Sequence, residues 1–175
     1  MKKLFWIFFV FCLFFTVNIW AFEVTSPFPT IENKNVGKSV PNFKLKIISG
    51  EEINLESVRA GQKTIMFFWA TWCPHCRETL KELETKRGEF EQKDIKLVLV
   101  NVGEKREFVK KFLEKNKIHL DTFLDEESSL VETYDLQGVP AFFLVNSQGI
   151  VNLFIYNNLP KDYTLVLDYE YPPLY

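Results

Sequence analysis

Ile65-Met66-Phe67-Phe68-Trp69-Ala70-Thr71-Trp72-Cys73-Pro74-His75-Cys76 is the stretch on which the reading of this chain turns. From Ile65 to Trp69 the run is continuously apolar, as expected of a central strand covered on both faces. From Cys73 onward, Cys76, Leu80, Leu83 and Phe90 recur at helical spacing, while Arg77, Glu78, Lys81 and Glu82 fall on the other side. A strand therefore runs almost directly into a helix whose first turn carries two cysteines within bridging range. At a helix N-terminus the unpaired N–H groups and the positive end of the dipole stabilise a thiolate, which makes Cys73 the attacking sulfur. Cys76, one turn further in, is the buried resolving thiol. Open α/β sheets gather reactive groups at this end of a strand.

Upstream, Gly61-Gln62-Lys63 is a break, and Pro41-Asn42-Phe43-Lys44-Leu45-Lys46-Ile47 alternates as a half-buried strand does. Ser49-Gly50-Glu51 reads as a turn and Ile53-Asn54-Leu55 as a second short strand, which together predict an N-terminal β-hairpin extension. Residues 22–39 hold Pro27, Pro29 and Gly37 without periodicity and read as a linker. Residues 1–21 have the layout of an export signal: Lys2 and Lys3, an apolar run from Leu4 to Phe15, then Ile19-Trp20-Ala21 as a cleavage site. Residues 4–20 also reach the short limit for a membrane span, so the segment is either removed or kept as an inner-membrane anchor.

Downstream, Ile95 to Val100 predicts a second buried strand, and Glu104 to Lys115 an amphipathic helix with Phe108, Phe112 and Leu113 inward. Strand, helix, strand, helix implies parallel pairing with a right-handed crossover. A short helical piece from Ser128 to Tyr134 precedes Gln137-Gly138-Val139-Pro140. Ala141 to Val145 and Ile150 to Tyr156 then form an antiparallel hairpin, and a short helix extends from near Pro160 to about Tyr169. The domain is placed at 40–170, with 171–175 as a tail.

Composition narrows the classes. A chain of 175 residues, 47% hydrophobic, buries one substantial core. Its net charge of -2 carries no basic excess, so no nucleic-acid partner is expected. Removal of residues 1–21 leaves 19 basic against 23 acidic residues and, with Cys12 gone, only Cys73 and Cys76.

Residues 40 to about 156 resemble the TlpA/ResA-like branch of the thioredoxin superfamily, the exported or membrane-tethered thiol-disulfide oxidoreductases. The resemblance rests on Pro41-Asn42-Phe43-Lys44-Leu45, on Phe68-Trp69-Ala70-Thr71-Trp72-Cys73-Pro74-His75-Cys76-Arg77, and on Tyr134-Asp135-Leu136-Gln137-Gly138-Val139-Pro140-Ala141-Phe142-Phe143-Leu144-Val145. A lone C-x-x-C also serves zinc sites; one that follows an apolar strand, with Val-Pro about 60 residues on, is specific. The resemblance implies a thioredoxin-like α/β fold, a central mixed sheet flanked by helices, and a cis Pro140 lying against the dithiol. The backbone of Val139 and Pro140 then offers an edge where a substrate strand can pair, and Trp72 forms part of an apolar rim.

Thiol chemistry dictates the expected reaction. Cys73 and Cys76 alternate between dithiol and disulfide by way of a mixed disulfide with a protein substrate, apocytochrome c among the candidates, and a membrane redox partner resets them. No metal or organic cofactor is needed. A purely structural bridge is disfavoured because so short a loop removes little unfolded-state entropy. Zinc is disfavoured because only His75 and the distant His119 could join the pair. Direction of electron flow is less determined. Pro74 and His75 tune the couple, and Pro74-His75 is the dipeptide of the oxidising DsbA family, whereas the scaffold is that of reductants in cytochrome c maturation. Acids that the superfamily and this branch place six residues before the first cysteine and three after the second are here Phe67 and Thr79. Glu78, the nearest acid in sequence, is rotated roughly 200° along the helix from Cys76. Three readings follow: a reductive oxidoreductase outside the cytoplasm, in the periplasm; a DsbA-like oxidase; and a non-catalytic metal-carrying or binding module on the same fold.

Overall fold

Strand β3, Lys63–Trp69, owes its unbroken apolar character to two hydrophobic layers, one on each face. Ile65, Phe67 and Trp69 point into one layer and Met66 and Phe68 into the other, as the two-residue period of a strand requires. The computed structural model, which describes residues 31–172, builds a seven-stranded mixed sheet around it in the order β2-β1-β5-β4-β3-β6-β7. The strands are β1 (Lys44–Ile47), β2 (Glu52–Asn54), β4 (Ile95–Val102), β5 (Thr122–Asp125), β6 (Ala141–Val145) and β7 (Val151–Tyr156). The helices are α1 (Leu55–Arg59), α2 (Pro74–Gln92), α3 (Arg106–Asn116), α4 (Leu130–Thr133) and α5 (Tyr163–Asp168).

β3 pairs in parallel with β4 and antiparallel with β6, with Trp69 opposite Asn101 and Phe68 opposite Ala141. The ends of β3 and β4 and the start of β6 therefore meet at one edge of the sheet. Leu80, Leu83 and Phe90 of α2, Val109 and Leu113 of α3, and Tyr163, Val166 and Leu167 of α5 cover one face. Leu55 of α1, Leu130 of α4 and Tyr134 cover the other. This is the thioredoxin-like architecture implied by the sequence, and the N-terminal hairpin is present, with β1 and β2 antiparallel. β1 also pairs antiparallel with β5, so the hairpin extends the sheet.

Four local expectations change. Leu55 begins α1 instead of ending a strand: the Asn54 side chain caps that helix by accepting the Ser57 N–H at 2.6 Å. β5 was not apparent in the sequence, being four residues completed by neighbours on both sides. Phe108 is not inward but 68% exposed, and Val109 takes its place in the core. Val109 and Leu113, four residues apart, form the inward stripe of the helix, with Phe112 beside it against Trp69 at a ring-centroid distance of 5.8 Å, and Phe108 falls outside that stripe. The stretch expected to be a linker is, from residue 33, pinned to the domain. Asn33 donates to Tyr134 O at 2.9 Å and Asn35 to Thr133 O at 3.1 Å, while Val36 and Ser39 bridge to Val151 and Ile150. Such ties run from side chain to distant backbone and leave no periodic trace in the sequence. The export signal or anchor lies outside the described residues; among those described, no helix is long and apolar enough to cross a membrane.

The placement of α3 is testable by two substitutions. Leu113→Ala should cost about 2–5 kcal/mol, whereas Phe108→Ser should stay within about 0.5 kcal/mol. Urea melts of the two variants check this, and a large loss in the second would show that Phe108 is buried after all.

Candidate active site

At the end of β3 the chain makes one turn, closed by the Cys73 N–H on Ala70 O at 3.3 Å, and enters α2. Pro74 stands in the first turn, where a missing N–H removes no helical bond. Cys73 is the N-cap, with extended backbone, and its sulfur accepts the Cys76 N–H at 3.2 Å. The capping position normally taken by a serine or aspartate oxygen is thus held by the thiol that the sequence marks as the nucleophile. Cys76 lies within the hydrophobic layer, fully buried, and Cys73 is nearly so. Both are free thiols here, the reduced member of the expected couple.

Facing them is the start of β6. The Val139–Pro140 bond is cis, and the Val139 carbonyl accepts from the Cys73 sulfur at 3.7 Å. Trp72 is 68% exposed beside the pair. Cys73, Cys76, Trp72, Val139 and Pro140 therefore stand together, joined by the topology alone across more than sixty residues of chain.

The surrounding charges are sparse. Burial pushes the Cys76 thiol well up from its ordinary value, and the neighbouring Cys73 sulfur adds to the effect. Phe67 is buried and stacked on Phe142 with centroids 4.7 Å apart, so the position that could have held a buried acid is hydrocarbon. Thr79 is also buried. The His75 imidazole does not bond the Cys73 sulfur; it is largely exposed, with Nδ1 3.9 Å from Glu78 Oε2. Position two of a helix projects outward over solvent, which leaves His75 able to act on the thiols only through space. His119 is exposed in the loop before β5. Among the described residues no three His, Cys, Asp or Glu side chains converge as a metal site needs.

One residue escaped the sequence reading. Glu104 accepts from both the backbone N–H and the hydroxyl of Thr71, in the turn that carries the dithiol. Its only signal in the chain was Gly103 just before it, whose φ of +76° turns the chain back at the end of β4.

Residues 36–154 match the family described as AhpC/TSA. The chain is 29% identical over 120 residues to the thiol-disulfide oxidoreductase ResA of Bacillus subtilis, covering 69% of this chain and 66% of that one. It is 34% identical over 110 residues to the sporulation thiol-disulfide oxidoreductase A of the same organism, covering 61% and 66%. The chain thus spans a little under two thirds of the length of these relatives. Among solved structures, StoA from Bacillus subtilis matches with a TM-score of 0.61 and 30% identity, over 72% of this chain and 98% of that one. A Chlorobium tepidum protein assigned as the thiol:disulfide interchange protein DsbE matches with a TM-score of 0.66 and 25% identity, over 75% and 92%. These similarities bear out the ResA-like resemblance.

Because the folded state holds Cys76 protonated while an unfolded cysteine ionises near pH 8.5, the stability that this thiol contributes is complete below that pH and declines above it. Urea melts of the reduced protein between pH 7 and 10 should lose up to about 1.4 kcal/mol per pH unit more than melts of Cys76→Ser. Equal slopes would mean that Cys76 is not held neutral.

Proposed function

The chain belongs to the AhpC/TSA family, and we propose that in it this protein is a thiol-disulfide oxidoreductase acting on protein substrates through Cys73-Pro74-His75-Cys76. The observation that carries this reading is the Cys73 sulfur itself, held at a helix N-terminus between the Cys76 N–H and the Val139 carbonyl. In the reductive direction the Cys73 thiolate attacks one sulfur of a substrate disulfide; that bond breaks, a mixed disulfide forms, and the other substrate sulfur leaves as a thiolate. Cys76 then gives up its proton and attacks the Cys73 sulfur, freeing the second substrate thiol. Two electrons and two protons pass from dithiol to substrate, and Cys73 and Cys76 end as a disulfide. Burial holds the Cys76 thiol in its protonated form, so its proton must leave before this second attack.

The substrate polypeptide pairs along the backbone of Val139 and Pro140, with Trp72 covering the mixed disulfide from solvent. Residues 1–21 deliver the protein across the inner membrane and are removed or kept as its anchor, residues 22–32 lead into the domain, and a membrane redox partner restores the dithiol. On scaffold grounds the direction is reductive, toward exported thiols of the cytochrome c maturation type. A second reading as a DsbA-like oxidase is favoured by Pro74-His75, the dipeptide of that family, and by Phe67 and Thr79, which leave Cys76 without a base to help it out of its thiol state.

An insulin-reduction assay tests the chemistry. Cys73→Ser should lose turnover by roughly 10³-fold or more, and Cys76→Ser should accumulate the mixed disulfide; equal rates for wild type and Cys73→Ser would sink the redox reading. Equilibration with glutathione separates the two directions, a thioredoxin-like low potential supporting the reductant. Because His75 is exposed and beside Glu78, His75→Ala should move that potential by only on the order of 10 mV. A shift several times larger would make His75 the governing residue.

A further inference from the structure

Both oxygens of the Glu104 carboxylate are engaged at the loop that bears the dithiol. Oε2 accepts the Thr71 N–H at 2.6 Å and Asn101 Nδ2 at 2.8 Å, and Oε1 accepts the Thr71 hydroxyl. Thr71 lies inside the turn that Cys73 closes onto Ala70, so one side chain ties the end of β4 to the turn that aims the Cys73 sulfur. Hydrogen bonds to a carboxylate are roughly twice as strong as neutral ones. Asn101 is fully buried, and its Oδ1 has no hydrogen-bond partner among the described residues. An orphaned buried acceptor is costly, and a leucine would fill a sheet position more favourably. The visible use of an amide there is to hold Glu104. Gly103 completes the arrangement: a Cβ on it would come within 3.0 Å of Ser128 Oγ, and its left-handed backbone is what returns Glu104 to the loop.

We infer that Glu104 is a positioning residue for the Cys73 sulfur, acting through Thr71. This rests on the dithiol-exchange function proposed above and adds to it the group that holds the nucleophile in place. Glu104 has no bond to either cysteine. With the turn clamped, the sulfur stays between the Cys76 N–H and the Val139 carbonyl, the placement from which it meets a substrate disulfide; a displacement of about 1 Å in such a site can cost as much as 10²-fold in rate.

The test uses the full chain as wild type, Glu104→Gln, Glu104→Ala and Thr71→Val. The rate of Cys73 alkylation by iodoacetamide is followed across pH, alongside disulfide-exchange turnover and thermal melting. Glu104→Ala should lower turnover roughly tenfold. Glu104→Gln, which keeps an acceptor for Thr71, should recover most of that turnover and most of the wild-type alkylation rate. Wild-type turnover and an unmoved profile in a folded Glu104→Ala would overturn the inference. If that variant does not fold, Thr71→Val decides: turnover and profile both unchanged in it would overturn it equally. Alkylation reads the thiol without any substrate, so this inference can fail while Cys73→Ser still abolishes exchange, and the dithiol function fails separately if Cys73→Ser retains it.

Discussion

A sulfur caps the central helix, and most of the molecule serves to put it there. The Cys76 N–H on the Cys73 sulfur is one hydrogen bond of 3.2 Å, yet it requires a strand that stops at Trp69, a single turn, and a helix that starts at Pro74. Were the strand a residue longer, the cap would pass to another side chain and the thiol would enter the helix body. β3 cannot shift in this way because both its faces are packed: a slip of one residue would exchange Phe67 and Trp69 for Met66 and Phe68 between two layers of different shape. Core packing is therefore what holds the two thiols in register.

The same packing determines what surrounds the thiols. Parallel pairing with β4 lays Asn101 beside Trp69 and brings Glu104 to Thr71; antiparallel pairing with β6 brings the Val139 carbonyl to the Cys73 sulfur. Two strands on opposite sides of β3 thus supply, respectively, a clamp behind the loop and a backbone edge in front of it. Trp72 stands between them, open to solvent.

Electrostatically the centre is plain. Cys76 is kept protonated by burial in hydrocarbon, no buried acid stands at Phe67 or Thr79, and the imidazole of His75 is turned toward Glu78 in water. The Cys73 sulfur itself stands at the N-terminus of α2, where it accepts the Cys76 N–H.

The chain by itself determined the strand, turn and helix at residues 65–90 and the pair of sulfurs on the first turn of that helix, because hydrophobic periodicity and cysteine spacing are local properties; a cis Pro140 against them was implied by the family resemblance. It also carried the hairpin at 44–54 and the last helix. Leu55, Phe108 and residues 33–39 depart from the expectation for different reasons. Asn54 caps α1 through the Ser57 N–H three residues on, the inward stripe of α3 runs through Val109 and Leu113 instead of Phe108, and Asn33 and Asn35 bind carbonyls about a hundred residues distant. Glu104 is like Asn33 and Asn35 in this. Gly103 beside it marks a turn and not a functional acid; Glu104 reaches the dithiol loop because β3 and β4 run in parallel and end together, a long-range pairing that no local pattern encodes.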